Sequence, residues 1–264
     1  MQEHFEKVIG RLRTLEGLIE RLQTVESGGG GSTPVGGWTE LSDAWTYATS
    51  TSVTVGGDLT GILSFGMKVR YWQTAYKYAY IQTVVHAGGT TTLTLSPVGG
   101  DTVANAAITL PAYSTAESPF GFPLPPAVLA RRTSDQTIGN ASNTAISFQS
   151  TYYDTDSMYD AGAPTRLTCK TPGIYQFNAA VAWGSSGTGE RKIDLRVNGG
   201  TWIRSQRLRA HGSTWIDVSG EWEMTLNDYI EMIVYQTSGG NLAAAALNDQ
   251  SPVMGATWQR LLSN

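Results

Sequence analysis

Apolar residues at Phe5, Val8, Leu12, Leu15, Ile19 and Leu22 open the chain, spaced alternately three and four apart. That spacing is a heptad, with a at 5, 12 and 19 and d at 8, 15 and 22, and it predicts a coiled-coil helix over residues 1–26. A helix of roughly 33 Å, at 1.5 Å per residue, is marginal alone in water, so its apolar stripe calls for partner helices. Ile9 at e and Leu18 and Val25 at g widen the stripe, which favours more than two strands. The competing reading is an amphipathic helix packed on its own body. The run Ser27-Gly28-Gly29-Gly30-Gly31-Ser32 argues against it, because a flexible linker over 27–33 decouples helix from body.

Beyond the linker the apolar period changes from 3.5 to two. Strands are expected at 45–55, 67–73, 77–86 and 90–96, the last reading Thr90-Thr91-Thr92-Leu93-Thr94-Leu95 in clean alternation. Gly56-Gly57-Asp58, Gly66, Gly88-Gly89 and Gly99-Gly100-Asp101 mark the turns between them. Residues 34–118 therefore read as a small β-barrel or sandwich domain. Its aromatic run, Tyr71, Trp72, Tyr76, Tyr78 and Tyr80, suits a core with cross-strand cover, or an exposed surface for a sugar or a neighbouring subunit. Phe120-Gly121-Phe122-Pro123-Leu124-Pro125-Pro126 places a semi-rigid, proline-rich hinge at 119–128. Residues 129–264 form the second β domain, with strands expected at 144–151, 174–183, 191–197, 201–209, 214–224, 229–237 and 253–262. Asn198-Gly199-Gly200 between two of these runs signals a hairpin, since both residue types tolerate positive φ. Seven or eight antiparallel strands in this length fit a two-sheet jelly roll.

Composition narrows the class. Charged residues are only 15% of the 264, and eight Trp and twelve Tyr supply cores, which excludes disorder. A net charge of −4 with no dense basic patch gives no expectation of nucleic-acid binding. No apolar run reaches about 18 residues, so no transmembrane helix is expected. Cys169 is the single cysteine, which rules out an intrachain disulfide or a multi-cysteine zinc site and points to synthesis in a reducing compartment.

Candidate chemistry is sparse. His4, His86 and His211 show no metal-ligand spacing, and there is no nucleophile elbow, phosphate loop or dinucleotide fingerprint. The loop Gly184-Ser185-Ser186-Gly187-Thr188-Gly189 lacks a following helix and reads as a surface turn. Cys169 reads as a buried small hydrophobe. Asp154, Asp156 and Asp160 form the best metal candidate, since dense carboxylates can bind calcium, although the glycine and terminal Glu of an EF-hand are missing. Glu221 and Glu223 share one strand face, a pair that suggests either glycosidase chemistry or solvated charges. No catalytic residue, metal or cofactor is assigned.

Three resemblances sharpen the picture. Arg11-Leu12-Arg13-Thr14-Leu15-Glu16 resembles the Arg-h-x-x-h-Glu signature of short parallel trimeric coiled coils, with Arg11 at g able to pair with Glu16 at e of a neighbour. Leu167-Thr168-Cys169-Lys170-Thr171-Pro172-Gly173-Ile174-Tyr175-Gln176-Phe177 resembles the signature of the globular head of complement component one, subcomponent q, carried by Leu167, Cys169, Pro172, Gly173, Tyr175 and Phe177. Met158-Tyr159-Asp160 upstream, Leu226-Asn227-Asp228-Tyr229-Ile230 downstream and a closing strand through Trp258 keep the family's order. That resemblance implies a trimeric head with the jelly roll of the tumour necrosis factors. The order coil, linker, β body and head, with Ala104-Asn105-Ala106-Ala107-Ile108-Thr109 and Arg131-Arg132-Thr133-Ser134-Asp135-Gln136, is similar to tail and appendage proteins of bacteriophages. The expected function is then a non-enzymatic homotrimeric virion protein of a tailed phage, a short fibre or spike. It would be made in the host cytoplasm and joined to another virion protein through its N-terminal coil. Its C-terminal head would meet a host cell-surface glycan or protein, with no nucleic-acid partner and no membrane insertion. The alternatives are a capsid decoration or collar protein without receptor binding, and a carbohydrate-degrading tailspike.

Overall fold

The computed structural model describes residues 35–247 and 252–262. The heptad residues Phe5, Val8, Leu12, Leu15, Ile19 and Leu22, the pair Arg11 and Glu16, and His4 lie outside the described residues, as does the linker. What is described is mainly β.

The first seven strands are β1 (Thr39–Glu40), β2 (Trp45–Thr49), β3 (Ser52–Gly56), β4 (Lys68–Trp72), β5 (Tyr76–Ala87), β6 (Thr90–Pro97) and β7 (Thr109–Ser114). They pair antiparallel in the order β1-β7-β4-β5-β6-β3-β2. The two edge strands are consecutive in the chain, joined by residues 41–44. Five Cα steps span at most about 18 Å, whereas a flat seven-stranded sheet sets its edges about 29 Å apart. The sheet therefore curls on itself. Its concave face is filled by Val53, Val55, Val69, Tyr71, Ile81, Leu93 and Leu95 from the strands. Leu59 and Leu63 of the β3–β4 connection pack into the same core. The fully buried Thr91 pins that connection, accepting from the Leu59 amide at 3.1 Å and donating to the Gly57 carbonyl at 2.7 Å.

The expected strand over 45–55 is a hairpin instead. The Thr49 and Ser52 hydroxyls bond at 2.7 Å, and the Thr51 amide donates to Thr49 Oγ1, so the turn is closed by side chains rather than by Gly or Pro. Strands β1 and β7 and several short strands below were not expected either.

Twelve further strands follow: β8 (Ala127–Arg131), β9 (Gln136–Ile138), β10 (Thr144–Ala145), β11 (Ser150–Asp154), β12 (Arg166–Thr168), β13 (Gly173–Trp183), β14 (Glu190–Val197), β15 (Thr201–Arg209), β16 (Thr214–Met224), β17 (Tyr229–Gln236), β18 (Leu242–Ala245) and β19 (Val253–Arg260). They build a two-sheet jelly roll. One sheet runs β11-β8-β19-β13-β18-β9, with β16 also paired to β13; the other runs β10-β17-β14-β15, with β12 also on β17. The expected strands at 174–183, 191–197, 201–209, 214–224, 229–237 and 253–262 all form, within two residues at each end. The β14–β15 hairpin turns at Asn198 and Gly199, both at positive φ. Asn198 also donates to Asp228 at 2.7 Å and accepts from the Tyr229 amide, which ties this hairpin to the β16–β17 turn.

Alternation places Ile193, Leu195 and Val197 of β14 opposite Tyr175, Phe177 and Val181 of β13, with Met232 and Val234 of β17 between the sheets. Full burial of each such side chain contributes about 1.5–3 kcal/mol. Among the described residues no helix is long and apolar enough to cross a membrane.

Candidate functional site

The family-like motif supplies interior structure. Leu167, Cys169, Tyr175 and Phe177 are buried in the sandwich core. The Tyr175 hydroxyl donates to the Thr171 carbonyl at 2.6 Å, and the Cys169 thiol reaches the same oxygen at 3.3 Å. Burial pushes the Cys169 thiol up to about 12, so it stays protonated and is no nucleophile at neutral pH. Pro172 accepts from the Trp258 indole at 3.2 Å. Gly173 is glycine for lack of room: a Cβ there would sit 2.1 Å from the Trp258 indole nitrogen and 2.6 Å from the Arg260 carbonyl.

This end of the jelly roll also touches the first sheet. Tyr80 of β5 stacks on Trp258 of β19 with ring centroids 5.6 Å apart, and Phe122 of the proline-rich segment meets Tyr80 and Tyr78 edge-on at 5.2 and 5.8 Å. Val98 and Leu261 are buried in the same cluster. Gln82 donates to the Leu262 carbonyl at 2.7 Å. The Gly99 amide donates to the Thr171 hydroxyl at 2.9 Å, and that hydroxyl donates to Asp156 Oδ1 at 3.1 Å. A cleft of about 380 Å³ lies beside these contacts, lined by Gln82, Ser96 and Pro97 on one side and Pro172, Glu223 and Leu226 on the other.

The three aspartates do different jobs. Asp154 accepts backbone amides from Asp156, Met158 and Tyr159, and Asp160 accepts that of Gly162; both are loop braces. Asp156 turns into the junction, is only 6% exposed, and leaves Oδ2 without a partner. Burial, together with the nearby Asp154 charge, pushes its carboxyl up to about 6 against the pull of its bond to Thr171. Among the described residues no three His, Cys, Asp or Glu side chains converge as a metal would require. Glu221 faces Arg260 at 3.6 Å, and Glu223 is the one carboxylate lining the cleft, so the pair does not flank a shared space. His86 and His211 are exposed. The glycine-rich loop 184–189 is held from within, by the buried Arg191 guanidinium donating to the Ser186 and Thr188 carbonyls.

One cluster was not foreseen. Lys192, Asp194 and Arg196 alternate on β14, on the face opposite the core. Asp194 is fully buried and accepts from Ser205 at 2.6 Å, Arg196 at 2.7 Å and Lys192 at 3.0 Å. Burial pushes the Asp194 carboxyl up, but these three bonds outweigh it and hold the group below the usual carboxylate range. Trp202 of β15 lies over both cations, its ring centroid 4.8 Å from Lys192 and 4.5 Å from Arg196. The signal was present in Lys192-Ile193-Asp194-Leu195-Arg196, where charge alternates with apolar residues on a strand that reads as core.

No family model matches the chain, and no curated protein matches it. Several solved structures resemble it in part. The globular domain of zebrafish complement 1qA protein is 18% identical, with a TM-score of 0.36, and covers 52% of this chain and 99% of its own. Eiger TNF from S. frugiperda is 8% identical, with a TM-score of 0.42, covering 53% of this chain and 97% of its own. Murine APRIL at pH 5.0 is 10% identical, with a TM-score of 0.41, covering 52% of this chain and all of its own.

Proposed function

We propose that the chain is a homotrimeric, non-catalytic structural protein of a tailed-bacteriophage virion, a short fibre or spike. In this reading it attaches through its N-terminal coil and meets the host surface with its C-terminal jelly roll. The observation that carries it is the set of aromatic rings left outside the cores: Tyr152, Tyr153, Trp202, Trp215 and Trp222 are all exposed on the jelly-roll strands of a single chain. Aromatic residues are enriched where subunits or ligands meet. The heptad over 5–22 supports assembly of parallel copies, and three linked heads turn weak contacts into a durable one. Asp154 and Asp160 brace their loop, Glu221 pairs with Arg260 and Cys169 is buried in the core, which leaves Glu223 as a lone carboxylate in the cleft.

Light scattering of the full chain at micromolar concentration is expected to give the mass of three chains, and Leu15→Glu, which sets a charge in each facing d position, to weaken the assembly. A wild-type monomer or dimer overturns the proposal. On virions, removal of residues 1–26 is expected to abolish incorporation. Removal of 130–264 is expected to leave incorporation intact and impair adsorption. Normal adsorption by particles shown to carry only head-deleted protein would leave capsid decoration as the function.

A further inference from the structure

The β14–β15 hairpin concentrates positive charge in an acidic protein. Between Glu190 and Arg209 it carries six cations against two acids, a net +4 in a chain whose overall charge is −4. Arg191 is spent inside the fold on loop carbonyls. Lys192 and Arg196 are locked by the buried Asp194 beneath Trp202, while Arg207 and Arg209 are exposed along β15. Arg207 does meet Glu190 at 3.2 Å, but both groups are solvated, and an exposed pair of that kind holds its partners weakly.

The position of Trp202 is the second observation. The ring is 55% exposed, yet its inner face is fixed by two cations that are themselves hydrogen-bonded to one carboxylate. An ion cluster buried on the outer side of a sheet serves no core, and its desolvation is costly. What it does is hold a large flat ring rigidly at the surface. A preorganised aromatic face loses little conformational freedom on binding.

We infer that this hairpin is a binding site for an acidic polysaccharide built of uronic acid sugars. A pyranose offers an apolar face to stack on Trp202, and a uronic acid carries its carboxylate on that same ring, within reach of a guanidinium beside the indole. Successive carboxylates along the polymer run over Arg207 and Arg209, where planar Arg groups suit carboxylates. A polyol-phosphate polymer has the charge without the flat sugar face. Nucleic acid fits less well: the hairpin offers one exposed ring rather than a row, and the rest of the chain carries −8, which repels a long polyanion. The inference rests on the adhesin reading above and gives that site its ligand class.

The test uses the full-length protein and four probes: polygalacturonate, dextran, a ribitol-phosphate teichoic acid and duplex DNA, with binding followed by calorimetry and tryptophan fluorescence. Polygalacturonate is expected to bind, with affinity falling as salt is raised, and dextran is expected to bind at least tenfold more weakly. Trp202→Ala is expected to lose tenfold or more, Trp202→Phe to keep part of the affinity, and Arg209→Glu, at an exposed position, to lose several-fold. Undiminished binding by both Trp202→Ala and Arg209→Glu overturns the site. Tighter binding of teichoic acid or of DNA than of polygalacturonate replaces the uronate reading with a phosphate-polymer or nucleic-acid one. If the variants bind normally while head deletion still blocks adsorption, this site falls and the adhesin reading stands. If head deletion leaves adsorption normal, the adhesin reading falls while the polygalacturonate result is judged on its own.

Discussion

Asp156 carries its charge at a cost. Its carboxyl titrates at about 6 in the folded chain, above the ordinary 3.8, because it is buried in the junction with one oxygen unpartnered. A raised carboxyl favours folding fully below the unfolded value and loses that contribution as pH climbs through the folded one. The loss amounts to about 3 kcal/mol by pH 7, at 1.36 kcal/mol per pH unit. Asp156→Asn keeps the shape and removes the charge. It is expected to melt above wild type at pH 7, with the two curves converging near pH 4, in thermal melts across that window. Asp194 and Asp228, both held below the usual range, give the opposite slope, but they are common to both proteins and cancel in the difference. A gap that closes at pH 7 rather than at pH 4 would contradict the burial argument. The sequence showed Asp156 only as the middle of an acidic cluster. What sets it apart, a bond from the Thr171 hydroxyl that itself accepts the Gly99 amide, joins residues far apart in the chain and leaves no local pattern.

Strands were legible where alternation was long, except that the strand expected at 144–151 is broken, with residues 146–149 leaving the ladder between β10 and β11. The runs that became β13, β14, β16 and β17 announced themselves because one face is core and the other is not, and Asn198-Gly199 marked the hairpin that leads into β15 by its need for positive φ. The short strands β9, β10 and β12 hold two or three residues each, too few to show a period. The β2–β3 turn escaped notice because threonine and serine hydroxyls close it in place of glycine. At the start of β13 the motif residue Gly173 lets β19 approach, with the Trp258 indole occupying the space a Cβ would take. Gly173→Ala must displace either the indole or the Arg260 carbonyl. Overpacking of this kind costs about 1–3 kcal/mol, and more where backbone must move. Urea unfolding is expected to show a lowered midpoint at unchanged slope, while Gly240→Ala, where a Cβ meets nothing, is expected to leave the midpoint in place.

At the scale of the molecule the curled sheet and the jelly roll meet through an aromatic cluster and backbone hydrogen bonds, and the proline-rich segment is packed against that cluster through Phe122. Tyr80→Ala removes the ring stacked on Trp258 while sparing both cores, at a cost of about 0.5–1.5 kcal/mol beyond lost burial. Calorimetry is expected to resolve two transitions in place of one, and protease to cut more rapidly within 115–126. A single unshifted transition would mean that the halves are coupled by other contacts. One further consequence concerns time. β19 lies at the middle of its sheet, hydrogen-bonded to β8 on one side and β13 on the other, yet more than a hundred residues of chain separate it from β8. At 5–20 residues per second a ribosome takes on the order of ten seconds to make that stretch. Throughout it β8 and β13 have no strand between them. The curled sheet, complete by Ser114, has this interval in which to fold first. The waiting slot is open to any strand that comes by, including one from a neighbouring nascent copy, so crowding on the same message is when this protein is most exposed to swapping its strands.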